Sequence, residues 1–404
     1  MPNAPLNVLM IGSDRDLFVK GSAAQKRTIE YGELFTQLHI IVFAGKGLGF
    51  SRMKISENVF LYPTNHRSPL FYLWNIYRTA QGILRSEQGS SGSFVISCQD
   101  PFEAGLAGWL LHILFKVPLQ LQVHTDLFSP YFAAESFKNR VRVMMARFLL
   151  RRADGIRVVS ERIKRSLSTF DVRLSTKVKV LPIFVDAKKI QQAKVKVDLH
   201  QKYPEYRKIV LMASRLTKEK HIGLAIEAVK RLHELLDVDR SQVKGHLSRP
   251  ESGSRQGSAL LLIVGDGPEK ESLQRSIVDS QLSNVVIEPW TSDMASYYRT
   301  ADCFLLTSDY EGYGRTVIEA MAAGLSVVMT DVGIAGELFV DGLDGIVAPV
   351  GDPGAVAEAL WAMLGDPGLR EGFAAQSAKV IGSLGDKKEY LRAYRAALEA
   401  CMKN

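Results

Sequence analysis

In the stretch "SDYEGYGRTVIEAMAAG", Ser308 to Gly324, Glu311 stands beside Gly312 and Gly314, and Glu319 follows within a run of helix formers. The preceding "CFLLTS" reads as a strand, "DYEGYGR" as the turn at its carboxyl end, and "TVIEAMAAG" as a helix closed by Gly324. Glycines let backbone amides approach a ligand, and a helix N-terminus behind them favours negative charge, so the turn suits a phosphate. Its carboxylates do not. An ionised carboxylate only accepts hydrogen bonds and takes two vicinal hydroxyl donors well, so Glu311 and Glu319 match a sugar. Cations for the phosphate are offered by Arg215 and Lys220 in "MASRLTKEKHIGLAIEAV", after a strand and just before a helix. A third turn, "VGDGPEKESL", puts Gly265 and Gly267 between strand and helix. Three strand-end turns would thus converge on one nucleotide. His124 ends another apolar run and precedes the polar pair Thr125 and Asp126, which marks it as a functional candidate.

The elements that must hold these residues show in the patterning. Short β-branched runs alternate with segments of helical period: "NVLMIG", "HIIVFA", "SFVISC", "LQLQVH", "GIRVVS" and "KVKVLPI", then "KIVLMAS", "LLLIVGDG", "VVIEPW", "CFLLTS", "SVVMTD" and "GIVAPV". Continuous apolar strands alternating with helices predict parallel sheets covered on both faces. Two such sets predict an α/β chain of two doubly wound, Rossmann-like domains, with ligands taken in a cleft at the carboxyl ends of the strands. The length of 404 residues agrees with two domains. The expected division is 1–187, 188–385 and a closing amphipathic helix at 386–404 whose packing partner periodicity does not reveal. The join falls in the polar stretch Asp186 to Tyr206, and a second polar stretch, Asp237 to Ser258, reads as a mobile surface loop.

At this level of detail the second half resembles a glycosyltransferase of the GT-B fold, family 4, whose signature is two glutamates separated by seven residues, here Glu311 and Glu319. "ASRLTKEK", "IVGDGPE" and "TDVGIAGELFVDGLDGIVAPVGDP" follow the family's order, and "QVHTD", "ADGIRVVS" and "VKVLPIFVD" match its weaker landmarks in the first half. The resemblance covers most of Asn7 to Pro353. It implies that Glu319 holds ribose hydroxyls, Glu311 the donor sugar, and Arg215 with Lys220 the diphosphate. It also implies that His124 meets the donor sugar from the opposite domain, and that amides of Gly312, Tyr313 and Gly314 help hold the donor. Gly265 and Gly267 would belong to the same donor site. The family transfers sugar with retention of configuration and generally without a metal; no cofactor is expected beyond the nucleotide diphosphate sugar itself, with UDP favoured and GDP as the alternative. Two departures stand out. Ile183 and Phe184 occupy the place of the family's usual Asn-Gly, and the first turn, "GSDRDLFVKGSAAQKR", has no Gly-Gly pair, which weakens any role for Gly21.

Retention through a covalent intermediate would need a carboxylate about 5 Å from its partner acid. Asp126 is the residue to test, and a front-face displacement is the preferred alternative. No paired carboxylates or clustered histidines suggest a metal site. The three cysteines, Cys98, Cys303 and Cys401, are scattered in apolar surroundings and read as inert core thiols of a reducing compartment. The first apolar run lacks a basic leader and reads as a strand, and "GLAGWLLHILF" is too short to span a bilayer, so a cytoplasmic protein is expected.

Charge is unevenly spread: up to Ala187 there are 24 Lys and Arg against 14 Asp and Glu, and beyond it 27 against 29. Ser136 to Arg165 alone holds ten basic residues and two acids. Apolar residues alternate there with arginines, as in a helix lying on anionic lipid, which suggests a peripheral position at a membrane surface and a glycan or lipid-linked acceptor. An ordinary solvated helix face is the competing reading. The aromatic group "PLFYLWNIYR", Pro69 to Arg78, could join that surface, core burial being the simpler expectation. Rival functions are a nucleotide-sugar epimerase on the same architecture and a nonenzymatic nucleotide-sugar binder. No nucleic-acid motif appears, and no GxGxxG follows the first strand.

Overall fold

The computed structural model describes residues 5–66, 71–86, 92–242 and 259–403. They form two compact units, Met1–Pro182 with Asp386–Asn404, and Ile183–Gly385. The first unit contains an eight-stranded sheet of β1 (Leu6–Gly12), β2 (Gln37–Val42), β3 (Met53–Ser56), β4 (Val59–Pro63), β5 (Ser93–Cys98), β6 (Leu119–Val123), β7 (Gly155–Val158) and β8 (Val178–Val180), in the order β3-β4-β2-β1-β5-β6-β7-β8. Every pairing is parallel except β3 with β4. All seven residues of β1 are buried, as a central strand covered on both faces requires. The expected runs all appear as strands, whereas β3 and β4 were not anticipated. They form an edge hairpin whose outer strand has no fully buried position, so its sequence carries little apolar signal.

The second unit has a six-stranded, wholly parallel sheet: β9 (Lys208–Ala213), β10 (Ala259–Val264), β11 (Val285–Glu288), β12 (Cys303–Leu306), β13 (Val327–Thr330) and β14 (Gly345–Ala348), ordered β11-β10-β9-β12-β13-β14. Strand order reverses between β9 and β12. This is the topological switch point of a doubly wound sheet, where such sheets open a crevice for ligands. Its core lies between the sheet and the helices Ile222–Gln242 and Pro353–Gly365, with Leu232, Leu261, Leu305 and Leu360 all inaccessible to solvent.

Three regions depart from the sequence reading. The polar stretch after Asp186 contains two short helices, Ala187–Gln192 and Leu199–Lys202, and Tyr206 beyond them is buried. Asp237 to Gln242 continue the helix Ile222–Gln242, and the remainder of the expected loop, 243–258, lies outside the described residues. Pro69 and Leu70 also lie outside them; Phe71 and Trp74 are exposed, as the surface reading has it, while Ile76 of the same group is buried.

The closing helix, Lys387–Glu399, belongs to the first unit. Asp386 and Glu389 form a reciprocal cap at its start, which satisfies backbone donors that a helix end leaves open. Tyr394 and Leu398 are buried, Tyr394 stacks on Tyr31 with ring centroids 4.8 Å apart, and Gln120 of β6 donates to the Ala397 carbonyl at 2.9 Å. Cys98, Cys303 and Cys401 are buried, and desolvation raises all three thiols. No helix among the described residues is long and apolar enough to cross a membrane.

Candidate active site

At the switch point of the second unit, loops follow the carboxyl ends of both β9 and β12. After β9 the chain runs through Arg215 into a short turn, Lys218–Lys220, then His221 and the helix Ile222–Gln242. After β12, residues 307–314 lead into the helix Arg315–Ala322. The two loops are tied together by backbone and side chains. Asp309 N–H donates to the Glu219 carbonyl at 2.8 Å, and the Thr307 hydroxyl donates to the carbonyls of Lys220 and His221 at 3.0 and 3.2 Å. His221 sits at a positive φ of 45°, a conformation costly for a side chain, and its Nδ1 lies 2.6 Å from Asp309 Oδ1.

This clamp brings two predicted residues into contact. Lys220 Nζ forms an ion pair with Glu311 Oε1, both side chains only 14% exposed, and the Ser308 hydroxyl donates to the same oxygen at 2.9 Å. The residues read from sequence as a phosphate cation and a sugar acceptor thus neutralise each other here. Burial of either charge alone would be costly, which explains why they pair. Arg215 is mostly exposed, with Nη2 3.3 Å from Glu219 Oε1. The Ser214 hydroxyl beside it is buried with no hydrogen-bond partner among the described residues.

Glu319 is deeper than Glu311. It lies on the helix Arg315–Ala322, buried, accepting from Arg315 Nε at 2.7 Å and from the Tyr298 hydroxyl at 3.0 Å. Desolvation, then the Glu319 charge, raises the Tyr298 hydroxyl well above its ordinary range, so Tyr298 stays a donor. The seven residues between the acids carry one to the loop and the other into the helix, which separates their surroundings.

Gly314 begins that helix at φ +87°, where a side chain would be strained, and no side chain caps the first turn. Free amides and the helix dipole there favour an anion. Tyr313 is buried, and Gly333, after β13, packs against its carbonyl at φ +57°: a Cβ would sit 2.7 Å from that oxygen. Gly265 and Gly267 have a structural use of their own. A Cβ on either would meet backbone oxygen, 1.9 Å from Ser214 O or 2.4 Å from Leu216 O, so both glycines let the loops after β9 and β10 touch.

In the first unit His124 follows β6, half-buried, with Nε2 2.9 Å from Gln122 Oε1. That oxygen also accepts from Arg157 Nη1 at 2.9 Å. Arg157, on β7, is buried; Nη2 donates to the Tyr390 hydroxyl at 3.1 Å, and its guanidinium lies 5.1 Å from the Tyr394 ring centre. Desolvation, then the charges of Arg157 and Arg27, lowers the His124 pKa to about 3. The imidazole is therefore neutral at physiological pH, with Nε2–H given to Gln122. Asp126 accepts from Ser166 at 3.3 Å and is raised from the usual carboxylate range, chiefly by burial. Among the described residues no three His, Cys, Asp or Glu side chains are grouped to hold a metal.

Sequence reasoning missed Ser214, Tyr298, Arg315, Gly333, Gln122 and Arg157. Gly333 had a local signal, a glycine shortly after a strand. Arg315 sits one helical turn before Glu319 and Gln122 two residues before His124, whereas Tyr298 and Arg157 reach their partners from other elements.

Comparisons place this architecture. The family described as "Glycosyl transferases group 1" matches residues 197–380, and "Glycosyl transferase 4-like domain" matches 37–183. The capsular polysaccharide biosynthesis glycosyltransferase CapM of Staphylococcus aureus is 26% identical over 286 residues, 69% of each chain. The alpha-monoglucosyldiacylglycerol synthase of Streptococcus pneumoniae is 27% identical over 250 residues, 58% of this chain and 51% of that one. Among solved structures, Anabaena HepE in complex with UDP and glucose superposes with a TM-score of 0.72 at 18% identity, covering 98% of this chain and 99% of the other. The sucrose-phosphate synthase of Thermosynechococcus elongatus gives 0.73 at 16% identity, covering 98% and 100%. With the two family matches spanning both units, the chain belongs to the group 1 glycosyltransferases and is an enzyme of the GT-B fold.

Proposed function

We propose that this glycosyltransferase moves a sugar from a nucleotide diphosphate sugar, UDP-linked in preference to GDP-linked, to a glycan or lipid-linked acceptor in polysaccharide or glycolipid synthesis, with retention of anomeric configuration. The observation that carries the donor is the loop pair at the switch point: a buried Glu319, the Lys220–Glu311 pair and an uncapped helix start stand on neighbouring strand ends. Glu319 takes the ribose hydroxyls. The diphosphate lies at the start of the helix Arg315–Ala322, drawing Lys220 from Glu311 and engaging Arg215; the Ser214 hydroxyl gains an acceptor. Glu311, released from Lys220, turns to the sugar. UDP-containing structures of similar fold support the choice of base.

As the sugar–phosphate bond breaks, negative charge grows on the diphosphate and positive charge on the anomeric carbon. Arg215, Lys220 and the helix amides stabilise the leaving group without a metal. His124 keeps the role implied by the resemblance, a neutral imidazole serving the reacting sugar. Retention follows from a front-face displacement in which the departing phosphate accepts the acceptor's proton.

The acceptor side draws on the first unit's surface. Phe71 and Trp74, then Ile113 and Leu114 on the helix Glu103–Phe115, then Phe137 and Met144 on the helix Phe137–Leu150 are exposed, and arginines accompany them on that last helix. Exposed apolar side chains flanked by cations suit an anionic bilayer, which supports a peripheral position at the membrane's inner face. The names of the similar capsular and diacylglycerol enzymes support such acceptors.

The test is a panel of nucleotide sugars scored by thermal shift and by slow donor hydrolysis, with the product's anomeric configuration read by NMR. Stabilisation by one nucleotide class and release of a sugar of unchanged configuration are expected. Indifference to every donor contradicts the reading.

A further inference from the structure

The first unit contains a cavity of about 390 Å3 that is separate from every residue assigned above to the donor. Leu127 and Phe128, on the loop that continues from His124 and Asp126, form one wall. Val143 and Arg147 of the helix Phe137–Leu150 form a second, and Ser166 and Phe170 of the helix Glu161–Phe170 a third. The lining is mainly apolar. Its polar edge points to chemistry, because Ser166 donates to Asp126 at 3.3 Å and so joins the cavity to the strand end that bears His124.

The cation at this cavity is different from its neighbours. Arg142 is held bidentately by Glu103, and Arg151 by Asp171 at 2.9 Å. Arg140 and Arg152 donate to the carbonyls of Ala133 and Phe148. Arg147 lies with its guanidinium centre 5.6 Å from the Phe128 ring centre and 5.3 Å from that of Phe170, rings that are themselves 4.9 Å apart. Its side chain makes no hydrogen bond or ion pair among the described residues. Two aromatic rings flank this guanidinium, Arg151 sharing the Phe170 ring at 4.6 Å, while the five donors of Arg147 stay open, and such a fork is matched to phosphate.

An apolar cavity with one open guanidinium at its edge selects a ligand that is apolar along its length and anionic at one end. We propose that this cavity is the acceptor site for an amphiphile carrying a phosphate, with the chain seated among Leu127, Val143 and Phe170, and the phosphate on Arg147. The proposal rests on the lipid-linked acceptor reading above and names where that acceptor sits. The phosphate end then lies beside the loop of His124 and Asp126, and the chain lies along a helix whose outer face, with Phe137 and Met144, is exposed. The volume falls within the usual range of small-molecule sites.

The experiment is calorimetric titration of the full chain with octyl phosphate, with octanol and inorganic phosphate as comparison arms. Octyl phosphate is expected to bind at one site, more tightly than either fragment. Arg147→Gln, on an exposed residue, is expected to weaken octyl phosphate about tenfold, the loss of a charged hydrogen bond, while leaving octanol unchanged. Ala133→Trp, which fills the cavity, is expected to weaken both chain-bearing ligands. Nucleotide binding and melting temperature should stay as in the wild type for both variants. Equal octyl phosphate binding in wild type and both variants overturns the site, and inorganic phosphate binding as tightly as octyl phosphate overturns the amphiphile in favour of a simple anion site. Failure of the wild type to bind any nucleotide is a separate result, which overturns the donor reading and leaves the cavity titration to be judged by itself.

Discussion

Single residues here act through the charges they meet. Lys220 and Glu311 read in the sequence as two separate functions, yet their contact makes each the other's counter-ion before any ligand arrives. Glu311→Gln therefore removes the proposed sugar acceptor and also leaves a mostly buried ammonium uncompensated, so a lowered melting temperature is expected, recovered by nucleotide diphosphate that supplies the missing charge. Thermal shift with and without nucleotide checks this. His124 gives a pH prediction. Its folded pKa of about 3 lies below the unfolded value, so the unfolded chain binds the extra proton first. The stability from keeping His124 neutral is full above pH about 6.5 and is lost as pH falls from there towards about 3. In His124→Gln that part of the acid loss should vanish, as seen in denaturant midpoints across the window. Replacing Arg157 with Met removes a charge that depresses the imidazole, so the His124 pKa should rise in an NMR titration.

At the scale of elements, strands were the most legible feature, because parallel strands buried on both faces need unbroken apolar runs, and "CFLLTS" or "LLLIVGDG" can hardly be anything else. The edge strand Met53–Ser56 lacked that signal. The glycines were legible as turns but not in their use, which depends on which loop lies opposite. Gly333 shows the difference: only the fold reveals that it faces Tyr313. Gly333→Ala combines an unfavourable φ with a Cβ 2.7 Å from a backbone oxygen, so it should displace the 311–313 loop, lower the melting temperature and weaken nucleotide binding together. Gly314→Ala meets nothing closer than a Val317 methyl at 3.8 Å, so its cost is the strain of φ +87° alone, about 1 kcal/mol. Denaturant unfolding of the two variants should rank them in that order.

Over the whole molecule, the amphipathic character of the last helix was plain from Tyr390, Tyr394 and Leu398, but a period names a face and not what covers it. The fold supplies the answer: the chain returns to its first unit, where Tyr394 stacks on Tyr31, Gln120 grips Ala397, and Arg157 meets Tyr390. The same limit hid the path from Arg157 through Gln122 to His124, which joins strands far apart in sequence. A chain ending at Gly385 would expose the first-unit surface that Tyr394 and Leu398 cover, including Tyr31, and strip Arg157 of its tyrosines. Its first unit should melt earlier, while nucleotide binding by the second unit persists, which calorimetry with and without nucleotide resolves. If both transitions fell together, stability would be shared more widely than this arrangement implies.

The loop after β12 is proposed to grip a nucleotide sugar with two carboxylates of different duty. The direct test measures, for Glu319→Gln and Glu311→Gln, both the affinity for the nucleoside diphosphate chosen by the donor panel and kcat for transfer. Glu319→Gln should weaken nucleotide binding about tenfold, as lost charged hydrogen bonds to ribose require, whereas Glu311→Gln should bind the nucleotide at least as tightly as the wild type, its Lys220 already free of a counter-ion, and lose its activity in kcat. Wild-type nucleotide affinity in Glu319→Gln, or the same kinetic defect in both variants, would rule out this division of roles.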